Sequence, residues 1–443
     1  MASGMRMERP GVRAAGCSSL PPGRFVVVKK GAPCFFLTDI RKGVCFHEHK
    51  KQLGALYAST FFSGLRLTDA VWVALLAARG FALWEIGLAE AVYHVVSLLF
   101  EVPSGMAADL LGRRRTYLLG GVLALAHDLM MLLAGDLPTV CLAMALGALS
   151  GTMYSGTSTA LVYDSLVQTR RTGDYLSISA RLDQINLAAG GLGSLSSLVH
   201  SALGYGGFYL CSGLCNGISV GASLLLTEPV VTQTQAQRDS CRLGQLPRRF
   251  LVQAQESVSA LRQCPAAVRV ILADGLVCVP IYLVTMFLQQ RLVELGWPTA
   301  LLFLPHLLGR AAAIVGSALG CRLRVQGLRR LYIGCAGLCG LGTVLVGLAG
   351  VPGALAGAML VQGVLSAWML HADRQMNEYF PSDLRATLVS VDSMAYSLMM
   401  IPASPLVGWV GDRAGQAGAG LAVLGCLVAA SALPVWLRGR RKA

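Results

Sequence analysis

The sequence predicts an all-α integral membrane protein: twelve transmembrane helices in two pseudo-symmetric six-helix bundles. Three observations carry that expectation. Only 14% of the 443 residues are charged and 54% are hydrophobic, with a mean hydropathy of +0.59; a soluble chain averages about 25% charged residues. Twelve mostly apolar stretches, each near the roughly 20 residues that a helical bilayer crossing requires, lie between Leu56 and Leu437. A long polar stretch, 228–266, separates the first six from the last six.

In chain order the spans are expected at 56–78, 86–108, 116–135, 138–162, 182–203, 206–227, 267–288, 299–319, 331–349, 354–372, 386–408 and 417–437. The domains are then a basic N-terminal arm (1–55), a first bundle (56–227), a linker (228–266), a second bundle (267–437) and a basic tail (438–443). The arm has no apolar periodicity and no hydrophobic run of signal-peptide length. It is either a disordered basic arm or the product of a start codon chosen too far upstream; its lack of low complexity favours the second. Within the linker, Phe250, Ala254, Val258 and Leu261 share a helical face opposite Gln253, Gln255 and Glu256. That pattern suits an amphipathic helix lying on the inner leaflet.

Charge distribution sets the orientation. Of the 37 Lys and Arg residues, thirty-two fall in the arm, the linker, the tail and the loops on the same side. The opposite loops hold only Arg79, Arg291 and Arg413. This is the positive-inside bias. It implies a multi-pass protein of the cytoplasmic cell membrane with both termini in the cytoplasm. The net charge of +14 is therefore a topology signal, and nucleic acid is not an expected partner.

The thirteen cysteines form no framework. Cys141, Cys211, Cys215, Cys278, Cys321, Cys335, Cys339 and Cys426 fall in or at the ends of spans, where thiols act as small apolar fillers. The run Cys45-Phe46-His47-Glu48-His49 has metal-binding residue types, but neighbours on one short segment rarely supply tetrahedral geometry. No metal and no cofactor are expected. No Gly-x-x-x-x-Gly-Lys-Ser/Thr loop occurs, so nucleotide hydrolysis by this chain is not the driving force.

The halves resemble one another weakly. Each opens with a span carrying a basic residue shortly before an acid, Arg66 and Asp69 in the first, Arg269 and Asp274 in the seventh. Each has a glycine- and arginine-bearing turn after its second span; the second copy, Gly316–Arg322 through Gly327-Leu328-Arg329-Arg330, lacks the acid. Secondary transporters are commonly built from such repeats, with the substrate site near midplane between them. Glycines at 147 and 151, and at 213, 217 and 221, are read as packing faces.

The first copy of that turn carries the most information. Gly105-x-x-x-Asp109-x-x-Gly112-Arg113-Arg114 resembles the signature loop between spans 2 and 3 of the major facilitator superfamily. Glu85-Ile86-Gly87-Leu88 and Glu101-Val102-Pro103-Ser104-Gly105 around it are similar to bacterial drug-efflux-like members. Ala160–Leu166 and Pro381–Thr387 add to the resemblance, which covers about 56–437. It implies the major facilitator fold, transport by alternating access, and a gate role for Gly105, Asp109, Gly112, Arg113 and Arg114. In that family the signature acid and arginines latch the halves together on the cytoplasmic side in the outward-facing state. A carboxylate near a helix start and close to guanidinium groups is favoured there; the blander alternative is that the loop only sets topology. Two departures count against export: span 4 lacks the arginine usual in proton-coupled exporters, and span 5 has Gly190-Gly191-Leu192-Gly193 without the proline of their antiporter motif.

Polar residues inside spans are functional suspects, because a charge at the bilayer centre costs about 2.5–3.5 kcal/mol even on translocon scales. Glu90, His94, Ser97 and Glu101 lie on one line of span 2. Carboxylate and imidazole in a row suit proton handling, with Glu101 the first candidate. The alternative is an interfacial Glu90, a His94 bonded to a carbonyl and a Glu101 belonging to the gate. Asp69 and Asp274 are further proton-coupling candidates. Arg66 pairs with Asp69 or joins the cavity; Asp274 takes a counter-charge from Arg310 and His306 of span 8; Asp392 and Tyr396 form an i, i+4 pair on span 11. Arg66, Arg310, Asp392 and Tyr396 are the substrate-cavity candidates. Asp183, Gln184 and Asn186 are expected to open span 5 as a polar helix start, and Met286, Met394, Met399 and Met400 to fill core.

The leading expectation is proton-coupled efflux of a small amphipathic or drug-like compound. The alternative is uptake of a small metabolite by proton symport, for which the missing span 4 arginine and a cavity of both charge signs speak. A non-transporting receptor or enzyme on the same fold is a third reading; no convergent catalytic set occurs in the spans, so no enzyme activity is expected. Lipid bilayer and small-molecule substrate are the expected partners, and a monomer the expected state.

Overall fold

Long apolar runs closed by Gly, Pro or a capping acid fold into membrane-length helices. The computed structural model describes residues 51–169, 171–229, 261–323, 327–379 and 385–440, with scattered positions between 252 and 259. Residues 1–50 of the N-terminal arm, with its cysteine–histidine run, and half of the linker face, Phe250 and Ala254, lie outside the described residues, as does Pro381-Ser382-Asp383-Leu384; the last residues assigned to the arm, 51–55, instead begin the first helix. Val258 is exposed and Leu261 packs against Cys264, Ala267 and Leu388.

Twelve helical spans follow one another among the described residues. The first, α1, comes in two pieces, 51–64 and Trp72–Ala78. Then come α2 (Leu83–Leu111), α3 (Arg113–Leu133), α4 (Leu137–Gln168), α5 (Tyr175–Ser194) and α6 (His200–Leu224). The second half holds α7 (Pro265–Glu294), α8 (Phe303–Arg322), α9 (Leu328–Leu348), α10 (Val351–Tyr379), α11 (Arg385–Ala414) and α12 (Ala417–Arg440). Nine of the described helices are long and apolar enough to cross a membrane. The three that fall short are α1, α5 and α6, all in the first half, and each carries polar residues with a use described below.

The structure corrects the sequence reading at two places. The first span is not one helix: 65–71 is a turn. Nothing in Leu65-Arg66-Leu67-Thr68-Asp69 forbids a helix, but tertiary bonds outcompete the local ladder. Gln289 of α7 accepts from the Val73 amide (3.0 Å) and donates to the Asp69 carbonyl (2.8 Å). Ser196 donates to the Leu67 carbonyl (2.6 Å). Backbone groups at membrane depth need such partners. The second correction is at span 5, which starts at Tyr175 rather than 182 and ends in a 3-10 turn, Leu195–Val199. Asp183 and Asn186 therefore sit mid-helix.

The repeat is visible in local geometry. Gly112 and Gly327 adopt φ of 102° and 85° where α3 and α9 begin, a region that favours glycine. Beyond each, an arginine ties its helix to the last helix of the same half. Arg114 donates to the Leu224 carbonyl (2.9 Å), and Arg329 to the Val435 carbonyl (3.0 Å). Correspondingly, α3 packs on α6 and α9 on α12.

The halves meet through α2 against α11, the outer piece of α1 against α7, and α5 with the 195–199 turn against α8 and 299–301. Among the described residues, the hydrogen bonds between halves all lie at the end away from the arginine turns. Asp412, at the end of α11, accepts from the Leu83 and Trp84 amides that begin α2 (3.0 and 2.8 Å). Ser404 donates to the Gly87 carbonyl (2.9 Å), and Ser197 to the Ala300 carbonyl (3.0 Å). Gly87 packs on the Ser404 carbonyl, and Gly408 on the Leu83 carbonyl, with no room for a Cβ on either.

Candidate functional site

A cavity of about 1010 Å³ lies in the first half and reaches the seam. Its lining runs from Asp69 and Met131 toward Val162 and Tyr175, near the arginine-bearing ends of α4 and α5. The molecule is thus hollow toward that end and sealed at the other. Every helix of the first half contributes, whereas the second half lends only Tyr282 of α7 and Tyr396 of α11. The walls are rich in hydroxyl, amide and carboxyl groups, which explains why α5 and α6 are less apolar than the other spans, whereas α1 falls short through its break.

Three polar groupings stand out. At the α1 break, the Arg66 guanidinium lies 3.7 Å from the Asp69 carboxylate, both more than half exposed to the cavity. On α3, Asp128 accepts from Asn216 (2.6 Å) and Ser212 (3.1 Å) of α6; this buried acid is fully engaged by neutral donors. On α2, Glu90 and His94 are 1% and 5% exposed, and Oε1 of the one is 3.2 Å from Nε2 of the other. The approach is not aligned for a hydrogen bond, and neither group makes a well-aligned one elsewhere, although the Tyr282 hydroxyl of the other half interacts with the Glu90 carboxylate. His94 meets three tyrosine rings edge to face: Tyr93 of its own helix, Tyr282 of α7 and Tyr396 of α11, at 5.5, 6.2 and 5.5 Å between centroids.

The structure divides the line read on span 2. Glu90 and His94 reach the cavity; Glu101, nearer the arginine turn, is not part of its lining. The pairing of Asp274 with Arg310 and His306 does not occur. Asp274 accepts instead from Trp368 Nε1 (2.7 Å) and the Cys278 thiol (3.4 Å), because α10 brings its indole to the inner face of α7. Arg310 and His306 line a separate cavity of about 240 Å³ between α7, α8 and α10. Asp392 and Tyr396 part company too: the tyrosine faces His94, while Asp392 keeps a buried carboxylate oxygen without a partner among the described residues. Asp183 and Asn186, read as a helix start, line the cavity. Met286 and Met400 are core residues.

In the signature turn, Gly105 is exposed on α2 and Gly112 makes the corner. The Arg113 and Arg114 amides donate to the Glu228 carboxylate (both 2.8 Å), and Arg113 Nε lies 3.5 Å from Asp164 of α4. These contacts hold the turn to its own half. The Asp109 side chain lies outside the described residues. Sequence reasoning passed over Gln289, Asp412, Glu228, Tyr282 and Trp368. A search for intramembrane charge finds none of the uncharged three, and Asp412 and Glu228 look like ordinary loop acids until the helix starts they cap are known.

No family model matches the sequence, and no curated protein does. Solved structures do share the fold. A crystal structure of the peptide transporter POT in complex with sulfate superposes with a TM-score of 0.64 at 13% identity, covering 88% of this chain and 94% of that one. One of a POT family transporter in complex with 5-aminolevulinic acid gives 0.62 at 14%, covering 87% and 95%. The nucleoside transporter NupG gives 0.63 at 14%, covering 87% and 97%. The chain is a multi-pass membrane protein with the major facilitator fold.

Proposed function

We propose that the chain is a secondary transporter, working by alternating access across the cytoplasmic membrane, that couples a small polar solute to the proton gradient. One observation carries this reading: a cavity of about 1010 Å³, at the upper end of the usual size for ligand sites, sealed at one end and hollow toward the other. By the positive-inside bias the hollow end is cytoplasmic, so this is the inward-facing arrangement of a monomeric unit. The lining favours symport of a hydrogen-bonding solute over efflux of a drug-like compound, since apolar ligands prefer apolar walls. Peptides and nucleosides, named for the POT and NupG structures, have the polarity these walls suit.

Proton coupling falls to Glu90 and His94. A buried carboxylate is costly as a lone charge, and a proton taken up by it or by the adjacent imidazole removes that cost. Two of the three rings around His94 belong to the other half, so the pair is enclosed only while the halves meet there. The signature turn, with Asp109, Arg113 and Arg114, serves the opposite state as its cytoplasmic latch.

The test is a transport assay in proteoliposomes with an imposed pH gradient and a panel of nucleosides, dipeptides and lipophilic cations. Gradient-driven accumulation of a polar solute, lost in Glu90→Gln and kept in Glu101→Gln and Asp274→Asn, is the expected result. Transport restricted to lipophilic cations would instead establish efflux. Transport indifferent to the gradient would overturn proton coupling.

A further inference from the structure

The larger cavity carries an uneven set of charges. Its lining includes four acids, Asp69, Glu90, Asp128 and Asp183, and one residue of fixed positive charge, Arg66. Arg66 and Asp69 offset one another at 3.7 Å. His94 lies against Glu90 on the same wall. His127 meets the Ala143 carbonyl through Nδ1 (2.7 Å); a carbonyl only accepts, so that nitrogen carries the proton and a neutral ring satisfies the bond. The arginines at the cytoplasmic end, Arg113, Arg114, Arg171 and Arg181, stay outside the lining.

Two acids remain that no arginine or lysine answers. Asp128 accepts on each carboxylate oxygen, from Asn216 and from Ser212. Accepting on both is the pattern of an ionised carboxylate, and both donors are neutral. Asp183, eight residues and so about 12 Å into α5, is exposed on the cavity wall and has no hydrogen bond or ion pair with any described residue. The lining is also unsaturated at its buried edge: Glu90 and His94, 1% and 5% exposed, face the cavity without a well-aligned hydrogen bond. Seven tyrosines and a tryptophan stand around the same space, and ring faces attract a cation. A low-dielectric hollow lined by one sign of charge concentrates the other.

From this we infer that the transported solute carries an ammonium group, which Asp183 holds on the α5 wall within the field of Asp128. The inference rests on the transport reading above and names the charge of its substrate. Aromatic walls suit the carbon skeleton of an organic amine; a bare metal ion would want oxygens in their place. A proton on Glu90 leaves that carboxyl neutral, so the two acids that attract the ammonium are separate from the coupling pair.

The experiment measures the thermal unfolding midpoint of the purified full chain in nanodiscs at neutral pH. Putrescine, tyramine and ethanolamine hydrochlorides are compared with their hydroxyl analogues, butanediol, tyrosol and ethylene glycol, and with sodium and potassium chloride at the same ionic strength. At least one amine is expected to raise the midpoint by about 2–4 °C and its analogue not to. Asp183→Asn should abolish the shift, Asp183→Glu retain part of it, and Glu101→Gln, outside the lining, leave it whole. No shift from any amine, an equal shift from the analogues, or an undiminished shift in Asp183→Asn overturns the proposal. Sodium or potassium matching the amines would assign the site to an inorganic cation and overturn it as well. The two readings fail separately. An amine shift that depends on Asp183, without transport of any solute, sinks the transport reading alone. A transported solute that bears no positive charge, with the same KM in Asp183→Asn as in wild type, sinks the ammonium subsite alone.

Discussion

The two halves share a topology and even their turn geometry, yet they are built for different work. In the first half α1 is broken, α5 and α6 are rich in Gly, Ser and Asn, and the helices stand around a hollow lined by hydroxyls, amides and acids. In the second, α9 and α12 pack so closely that Gly347 and Gly418 contact each other's backbone, and Asp274 is sealed behind Trp368. One half encloses a polar hollow; the other is a packed body that contributes Tyr282, Tyr396 and Arg310 at the seam. A duplicated fold can thus divide enclosure and packing between its copies, with no change in the order of helices.

The largest effect is expected where the packed half seals against the hollow one. Gly408→Leu drives a side chain into the Leu83 carbonyl. Transport should fall below detection, and hydrogen exchange at 83–90 and 404–412 should rise. Gly217→Leu, where a Cβ meets nothing within 4 Å, should behave as wild type in both measurements. If Gly408→Leu transports normally, the seal is not a moving part.

Next in size, Glu90→Gln should reduce accumulation driven by a pH gradient by about tenfold or more while leaving solute exchange without a gradient nearly intact. Exchange and accumulation falling together would mean that the carboxylate binds solute rather than protons. Gln289→Leu removes both bonds that hold the α1 break and should cost about 1–3 kcal/mol, read as a lower thermal midpoint. Trp368→Phe leaves Asp274 with only the thiol and should cost a similar amount, but without altering exchange in α1. Smallest of all, Asp412→Asn weakens the cap on α2 by about 0.3–1 kcal/mol, visible as faster exchange at Leu83 and Trp84 in the otherwise sealed state.

Much of the architecture was legible because membrane helices are written in composition. Twelve apolar runs and the arginine turns follow from length and charge alone. Charge at helical spacing put Glu90, His94 and Glu101 on one line of α2; the first two line the cavity, whereas Glu101, the first candidate, does not. The site was not legible where a bond is made by a neutral side chain from the other half. Gln289 looks like one more polar residue near a helix end, yet it decides the course of α1. Nor does spacing say which neighbour an acid meets: Asp274 found an indole from α10 rather than the guanidinium of α8, since interhelical register is set by glycine contacts that no single helix reveals.

The break in α1 has a consequence for motion. A single amide group on one lobe serves both an orphan donor and an orphan acceptor on the other, so separating the lobes at that level strips Val73 and Asp69 of their partners together. Water must then enter, or the loose stretch must wind into a continuous rod. Under the alternating access proposed above, opening at this level is then coupled to a change of secondary structure at 65–71 as well as to tilting of the helices. Exchange rates of the amides at 66–73, followed as the sealed end is opened by Gly408→Leu, would reveal which of the two occurs.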